Sequence, residues 1–204
     1  MAYGMLIDLK KCVGCQGCAT ACKAANGTPP GVFRSKVLRT TKGVYPTVER
    51  EIVPLLCNQC SNASCVVVCP TGATKKEENG IVTVNKDACV GCKACIMACP
   101  YDARYMTDLS TCYMGDELTP YEKYIRAQVK MVDKTVDKCD FCFGRTPQGA
   151  IPEPACVDTC MVAARTFGEL DEIRTLAEVE GAYQLHPEQG TQPCVFYVPN
   201  TRRR

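Results

Sequence analysis

The sequence has no tryptophan, a single histidine and only 7% aromatic residues. A chain of 204 residues is long enough to bury a core, yet it holds little large apolar material to make one. Its hydrophobic share of 46% is ordinary only while cysteine is counted. Setting aside the 18 cysteines, about 9% of the chain, leaves roughly 37%, below the usual globular share. No apolar run approaches the ~18–20 residues of a membrane span. Charge of one sign is lacking too: 24 Lys and Arg against 22 Asp and Glu give +2, which is no field for nucleic acid. Met1 to Asp8 is too short an apolar stretch for a secretory signal and meets Lys10 and Lys11 at once. Arg202–Arg204 lies at the wrong end for a twin-arginine signal. Ser–His–Asp, Walker-type and dinucleotide motifs are missing. The lone His186, before Pro187, reads as a surface or interface residue. No catalytic residue is expected in this chain.

What is abundant is cysteine, and it is spaced. The first block, Cys12, Cys15, Cys18 and Cys22, reads C-x2-C-x2-C-x3-C. The third repeats it at Cys89, Cys92, Cys95 and Cys99, with Pro100 after it. The second is a variant, C-x2-C-x4-C-x3-C-P, at Cys57, Cys60, Cys65, Cys69 and Pro70. The fourth is stretched, C-x2-C-x13-C-x3-C, at Cys139, Cys142, Cys156 and Cys160. Cys112 and Cys194 are left over and are expected to be unligated.

Three cysteines at steps of three make a tight loop whose sulfurs converge on one side of a cuboidal cluster. Gly14, Gly17 and Gly91 sit inside such loops, where the backbone turns sharply. The fourth cysteine points away from its own loop, at the expected start of a short helix. In bacterial ferredoxins of this spacing, that cysteine ligates the other cluster of a pair. Four complete blocks predict four [4Fe–4S] clusters. Zinc is the competing metal, but its sites usually pair two C-x2-C knuckles, often with His. A disulfide framework belongs chiefly to short secreted chains, and sulfurs three residues apart suit a cluster better than eight bridges.

Blocks two and three lie close together, and residues 77–85 between them read as a turn and a strand. Blocks one and four are then left to pair across the chain. The expected fold class is α+β: two interleaved bacterial-ferredoxin-like units, one inserted in the other and stabilised by clusters. Residues 1–50 and 111–170 form the first unit, with a surface insertion near 101–138. Residues 51–110 form the second, and 171–204 a C-terminal extension. Strands are expected at residues 5–9, at 43–53 (interrupted by Pro46) and near 195–198, and helices near 117–126 and 171–179.

With the blocks placed, the sequence resembles the four-cluster electron-transfer subunits of the dimethyl-sulfoxide-reductase family of molybdopterin oxidoreductases. It is most similar to the small members serving polysulfide, thiosulfate, tetrathionate or arsenate reductases. The matching pieces include Ile7 to Cys15, Leu56 to Cys60, Cys69 to Ala73, Cys99 to Tyr105, Lys138 to Cys142, Ala155 to Cys160, and Pro187 to Pro193 followed by Val195 to Tyr197. The resemblance implies four ligand sets: Cys12, Cys15, Cys18 and Cys160; Cys139, Cys142, Cys156 and Cys22; Cys57, Cys60, Cys65 and Cys99; Cys89, Cys92, Cys95 and Cys69. It also implies an order. The Cys12 cluster faces a molybdopterin-containing catalytic subunit, then come the Cys139 and Cys89 clusters, and the Cys57 cluster is last, toward an integral membrane quinone-reactive subunit. Two departures are Met161, where relatives often have Pro, and the long 101–138 segment.

Each oxidised cluster with four thiolates contributes about −2, so four bring the formal +2 to about −6. Lys11, Lys23, Lys93 and Lys138 flank ligands and are candidates to offset that charge. The lack of a signal by itself reads as cytoplasm, whereas the resemblance implies peripheral membrane association, with the outer face of the cytoplasmic membrane favoured over the cytoplasmic face. The competing reading is a soluble polyferredoxin-type carrier serving a hydrogenase or formate dehydrogenase.

Overall fold

The computed structural model describes residues 1–145 and 152–200. Residues 146–151, within the stretched fourth block, and the Arg202–Arg204 run lie outside the described residues.

Strand β1 (Tyr3–Asp8) is the middle of a three-stranded sheet. It pairs antiparallel with β8 (Arg165–Glu169) and parallel with β9 (Val195–Val198). Flanked on both edges and buried on both faces, β1 carries Met5, Leu6 and Ile7 into the interior. Helix α6 (Leu170–Val179) covers this sheet. Its buried Leu170, Ile173 and Ala177 recur at helical spacing, and Ile173 and Ala177 pack with Leu6 and Val198. The β1–β8 pair is what brings block one, just after β1, beside block four, just before β8.

The expected strand over 43–53 is instead the tip of a hairpin. Strands β2 (Ser35–Val44) and β3 (Thr47–Leu56) pair in full antiparallel register around the Tyr45–Pro46 turn. Pro46 has no N–H for a ladder, so the chain reverses there. The ribbon runs out into solvent, and its base leads into block two. Strands β4 (Thr74–Lys76) and β5 (Val82–Val84) form the expected hairpin between blocks two and three. After block three, β6 (Arg104–Met106) pairs with β7 (Val136–Lys138), which leads into block four. The ladders β2–β3 and β6–β7 thus cross the expected unit boundaries, and the one expected between residues 50 and 51 falls inside β3.

Each block opens a helix at its third cysteine, the second residue of α1 (Gly17–Asn26), α2 (Ser64–Val67), α3 (Ala94–Met97) and α5 (Ala155–Asp158). Contrary to the sequence expectation, the fourth cysteine does not start a helix. In blocks two to four it follows the residue that caps the helix C-terminus. Pro70 and Pro100 then act as stops, the usual place for proline after a C-cap. Block one has no such proline, and α1 runs past Cys22 to end at the left-handed Gly27. Helix α1 packs on α5, and α2 on α3.

Within the 101–138 excursion, α4 (Pro120–Gln128) begins at a full capping box made by Thr119 and Glu122. It docks on α1 through hydrogen bonds from Tyr121 to the Ala24 carbonyl and from the nearby Tyr113 to the Thr28 carbonyl. One central cluster of buried side chains mixes Met5, Ile7, Leu56, Ile81, Phe141, Val195 and Tyr197 with Cys22, Cys57, Cys139 and Cys156. The thin apolar composition therefore translates into a core in which thiols replace large side chains.

Candidate metal centres

All 18 cysteines are free thiols, so the disulfide framework has no support. Among the described residues, no three His, Cys, Asp or Glu side chains gather as a single zinc ion would need. The thiols gather more loosely, in sets.

The same backbone device shapes each loop. The residue before the second cysteine is left-handed in all four blocks: Gly14 (φ 72°), Gln59 (φ 46°), Gly91 (φ 67°) and Phe141 (φ 53°). Glycine takes this conformation freely. Its absence of Cβ is needed besides, because a Cβ on Gly14 would lie 3.1 Å from Ile52, and one on Gly91 would meet the Lys134 carbonyl. Gln59 and Phe141 hold the same turn by buried contacts. The Gln59 amide donates to the Cys139 carbonyl (2.7 Å) and accepts from the Val82 N–H (2.8 Å). Phe141 is fully buried and meets Phe167 edge-on.

The thiols perturb one another across blocks. Burial pushes the Cys12 thiol up, and Cys18 and Cys160 add to it. Burial carries Cys22 up to about 12, helped by Cys156 and Cys142. Cys60 is likewise pushed up to about 12 by burial, with Cys57, Cys65 and Cys99 adding. Each of these neighbourhoods includes a cysteine of the paired block. Cys57, Cys60, Cys65 and Cys99 also line a single cavity. For Cys69, Cys89, Cys92 and Cys95, the packing of α2 on α3 brings the two blocks side by side.

Hydrogen-bond donors point at the sulfurs. The Thr74 and Ala164 N–H groups each donate at 3.3 Å, to Cys69 and Cys160. Phe141 N–H reaches Cys139 at 3.4 Å and Val136 N–H reaches Cys89 at 3.5 Å. For Cys69, burial is outweighed by such bonds from Thr74 and Thr71, and the thiol is lowered. Donors of this kind favour thiolate over thiol.

Two guanidinium groups make the same point more strongly. Arg104 and Arg165 are each only 4% exposed. Arg104 donates to Cys65 (2.9 Å) and Thr74 (3.3 Å). Arg165 donates to Cys156 and Cys18 (3.4 Å each) and to Ser35 (3.1 Å). Arg34 is paired with Asp137 and Asp140, but among the described residues Arg104 and Arg165 have no carboxylate partner. A buried charge without a counter-ion is expensive, so the surrounding sulfurs must carry negative charge. Thiolates bound to iron would supply it. The Asn58 amide, 1% exposed beside Cys57, has no partner for either its N or its O among the described residues. This donor set fits [4Fe–4S] clusters.

Neither arginine stands out in sequence as the flanking lysines do. The available signal was a shared offset, each arginine lying five residues after the last cysteine of its block. The lysines fare differently. Lys138 is buried, donating to the Val82 and Cys139 carbonyls. Lys23 donates to the Pro29 and Val32 carbonyls, Lys11 is exposed beside Asp8, and Lys93 takes the left-handed N-cap of α3. Of the leftover cysteines, Cys194 is buried against Ser61 and Cys112 is half-buried. His186 is exposed beside Glu188.

The expected order needs correction. Burial pushes Cys139 well up, and Cys57 contributes to that shift. Both sit in the central cluster of side chains, and Gln59 bonds directly to the Cys139 carbonyl. Cys57 of block two therefore lies beside Cys139 of block four. Cys15 of block one and Cys92 of block three are the two exposed cysteines.

Residues 48–118 match a 4Fe-4S dicluster domain and residues 9–25 a 4Fe-4S binding domain. The chain is 39% identical to the arsenate respiratory reductase iron-sulfur subunit of Shewanella sp. (strain ANA-3), over 97% of this chain and 96% of that one. It is 38% identical to a tetrathionate reductase subunit of Salmonella typhimurium, over 96% of this chain and 72% of that one. It is also 38% identical to a selenate reductase subunit of Mesobacillus selenatarsenatis, over 95% and 70%.

Proposed function

The chain belongs to the iron–sulfur electron-transfer subunits of the molybdopterin oxidoreductases, and from that premise we propose that it holds four [4Fe–4S] clusters between a molybdopterin catalytic subunit and a quinone-reactive membrane subunit. When bound, such clusters exchange single electrons at potentials tuned by charge, hydrogen bonds to sulfur and solvent exposure. The chain's own residues provide those three controls. The left-handed loops hold three thiols of each set, and the fourth comes from the paired block. Backbone N–H groups and the two buried guanidiniums stabilise the thiolates. Burial of Cys22, Cys57, Cys139, Cys142 and Cys156 keeps water from the middle of the row.

The observation that carries the ligand sets is contact across blocks: Cys57, Cys60, Cys65 and Cys99 line one cavity, and the Asn26 amide reaches both Cys22 and Cys142 (3.6 and 3.9 Å). The row itself is proposed to run Cys12, Cys139, Cys57, Cys89, with the Cys12 end at the catalytic subunit and the Cys89 end toward the membrane. The two interleaved units, 1–50 with 111–170 and 51–110, are proposed as the architecture behind it. No helix among the described residues is long and apolar enough to cross a membrane. Peripheral attachment through partners accords with this, and the outer face of the cytoplasmic membrane is proposed. Respiratory reductase subunits as relatives do not favour the soluble carrier.

Anaerobic iron and acid-labile sulfide analysis should return about sixteen of each per chain. Zinc with fewer than about twelve irons would sink the four-cluster reading. In a gentle pull-down, the chain should bring a large catalytic subunit with it. A chain that stays alone counts against the subunit role.

A further inference from the structure

Arg104 and Arg165 occupy equivalent places. Each is the first residue of the strand that follows a block's last cysteine, β6 after Cys99 and β8 after Cys160. Each lies at the seam between two thiol sets. Arg165 reaches Cys18 of the Cys12 set with one terminal nitrogen and Cys156 of the Cys139 set with the other, both at 3.4 Å. Arg104 reaches Cys65 of the Cys57 set at 2.9 Å. Its other terminal nitrogen binds the Thr74 hydroxyl, and the Thr74 N–H donates to Cys69 of the Cys89 set. The contacted residues in the first case are the third cysteines of both blocks, the ones that open the short helices.

We propose that these two arginines are shared counter-charges, one guanidinium for each pair of clusters, and that each sets the reduction potentials of both members of its pair together. This rests on the four-cluster reading above. Reduction adds one negative charge to a cluster, and a buried cation held by hydrogen bonds to its ligand sulfurs favours that charge. A single planar fork serves two sulfurs at once, which a lysine ammonium, a point charge on a flexible stem, does not reproduce. Arg165 does this directly, whereas Arg104 bonds one sulfur itself and meets the second set through Thr74, and the two arginines leave the two cluster pairs under separate control. Lys138 donates to the Val82 and Cys139 carbonyls and lies near enough to favour the Cys65 thiolate, but among the described residues it makes no hydrogen bond to a sulfur and so is not held as the two arginines are.

The test is an EPR-monitored potentiometric titration of the complex isolated anaerobically, with iron and sulfide counted in every sample. Arg165→Gln should lower two of the four midpoint potentials and leave two in place. Arg104→Gln should lower the other two. A fully loaded variant that moves none, only one, or all four potentials overturns the proposal while leaving the four-cluster reading intact. Too little iron in the unaltered chain overturns that reading and the proposal with it. Where a glutamine variant fails to load, the lysine variant at the same position carries the test. Its one ammonium reaches one set, so one potential of the pair should fall and its partner should hold. Movement of both or of neither overturns the sharing.

Discussion

Four residues hold the same left-handed turn by two different means. Gly14 and Gly91 adopt it without cost, whereas Gln59 and Phe141 adopt it against the steric preference of a side chain. Gln59 offsets that cost through two buried hydrogen bonds, and one of them ties block two to block four. Gln59→Ala should leave the Cys139 carbonyl and the Val82 N–H without this partner. The expected loss is about 1–3 kcal/mol, checked by denaturant unfolding of the loaded chain, with Gln59→Glu as a variant that keeps the acceptor only. Sequence spacing makes the ligands legible because iron coordination repeats at fixed steps. It does not single out Gln59, whose partners come from a strand and a loop remote in the chain, and it marks the two arginines only by their shared offset.

At the scale of elements, strand β7 is the junction. Asp137 within it accepts from Arg34 (2.8 and 2.9 Å), Lys86 (2.7 Å) and Tyr105 (2.6 Å). These partners come from the segment after block one, the segment before block three and strand β6. Burial alone would raise the Asp137 carboxyl, but Arg34 and Lys86 hold it well below the usual carboxylate range. Asp137→Asn removes the charge that both cations face and should destabilise the chain by about 3–5 kcal/mol. Thermal unfolding at constant iron content checks this. The strand at 5–9, the 77–85 hairpin, the helices near 117–126 and 171–179 and the final strand follow from local pattern, with ends displaced by up to three residues. The 43–53 segment does not. Its alternation fits one strand as well as two, and only Pro46 marks the reversal. Pairing of β6 with β7 is also invisible locally, because three-residue strands carry too little periodicity to read.

At the scale of the whole molecule, the proposed row of thiol sets has an exposed cysteine at each end, Cys15 and Cys92. The order in that row came from packing, since chain order and cluster order differ wherever units interleave. If the Cys89 set is the membrane end, Cys92→Ser should cut electron exchange with quinol and spare substrate reduction driven by an artificial donor. Kinetics of the complex with both donors check this, and equal loss of both activities with clusters intact would reverse the row.

The pairing of β1 with β8 has a consequence in time. Cys160, the proposed fourth ligand of the first block's set, leaves the ribosome about 150 residues after Cys12. At roughly 5–20 residues per second, that is an interval on the order of ten seconds. Through it, three N-terminal thiols stand together without their fourth, and β1 has neither of its neighbouring strands. On the proposed ligand set, cluster loading at this end therefore waits until Cys160 has been made.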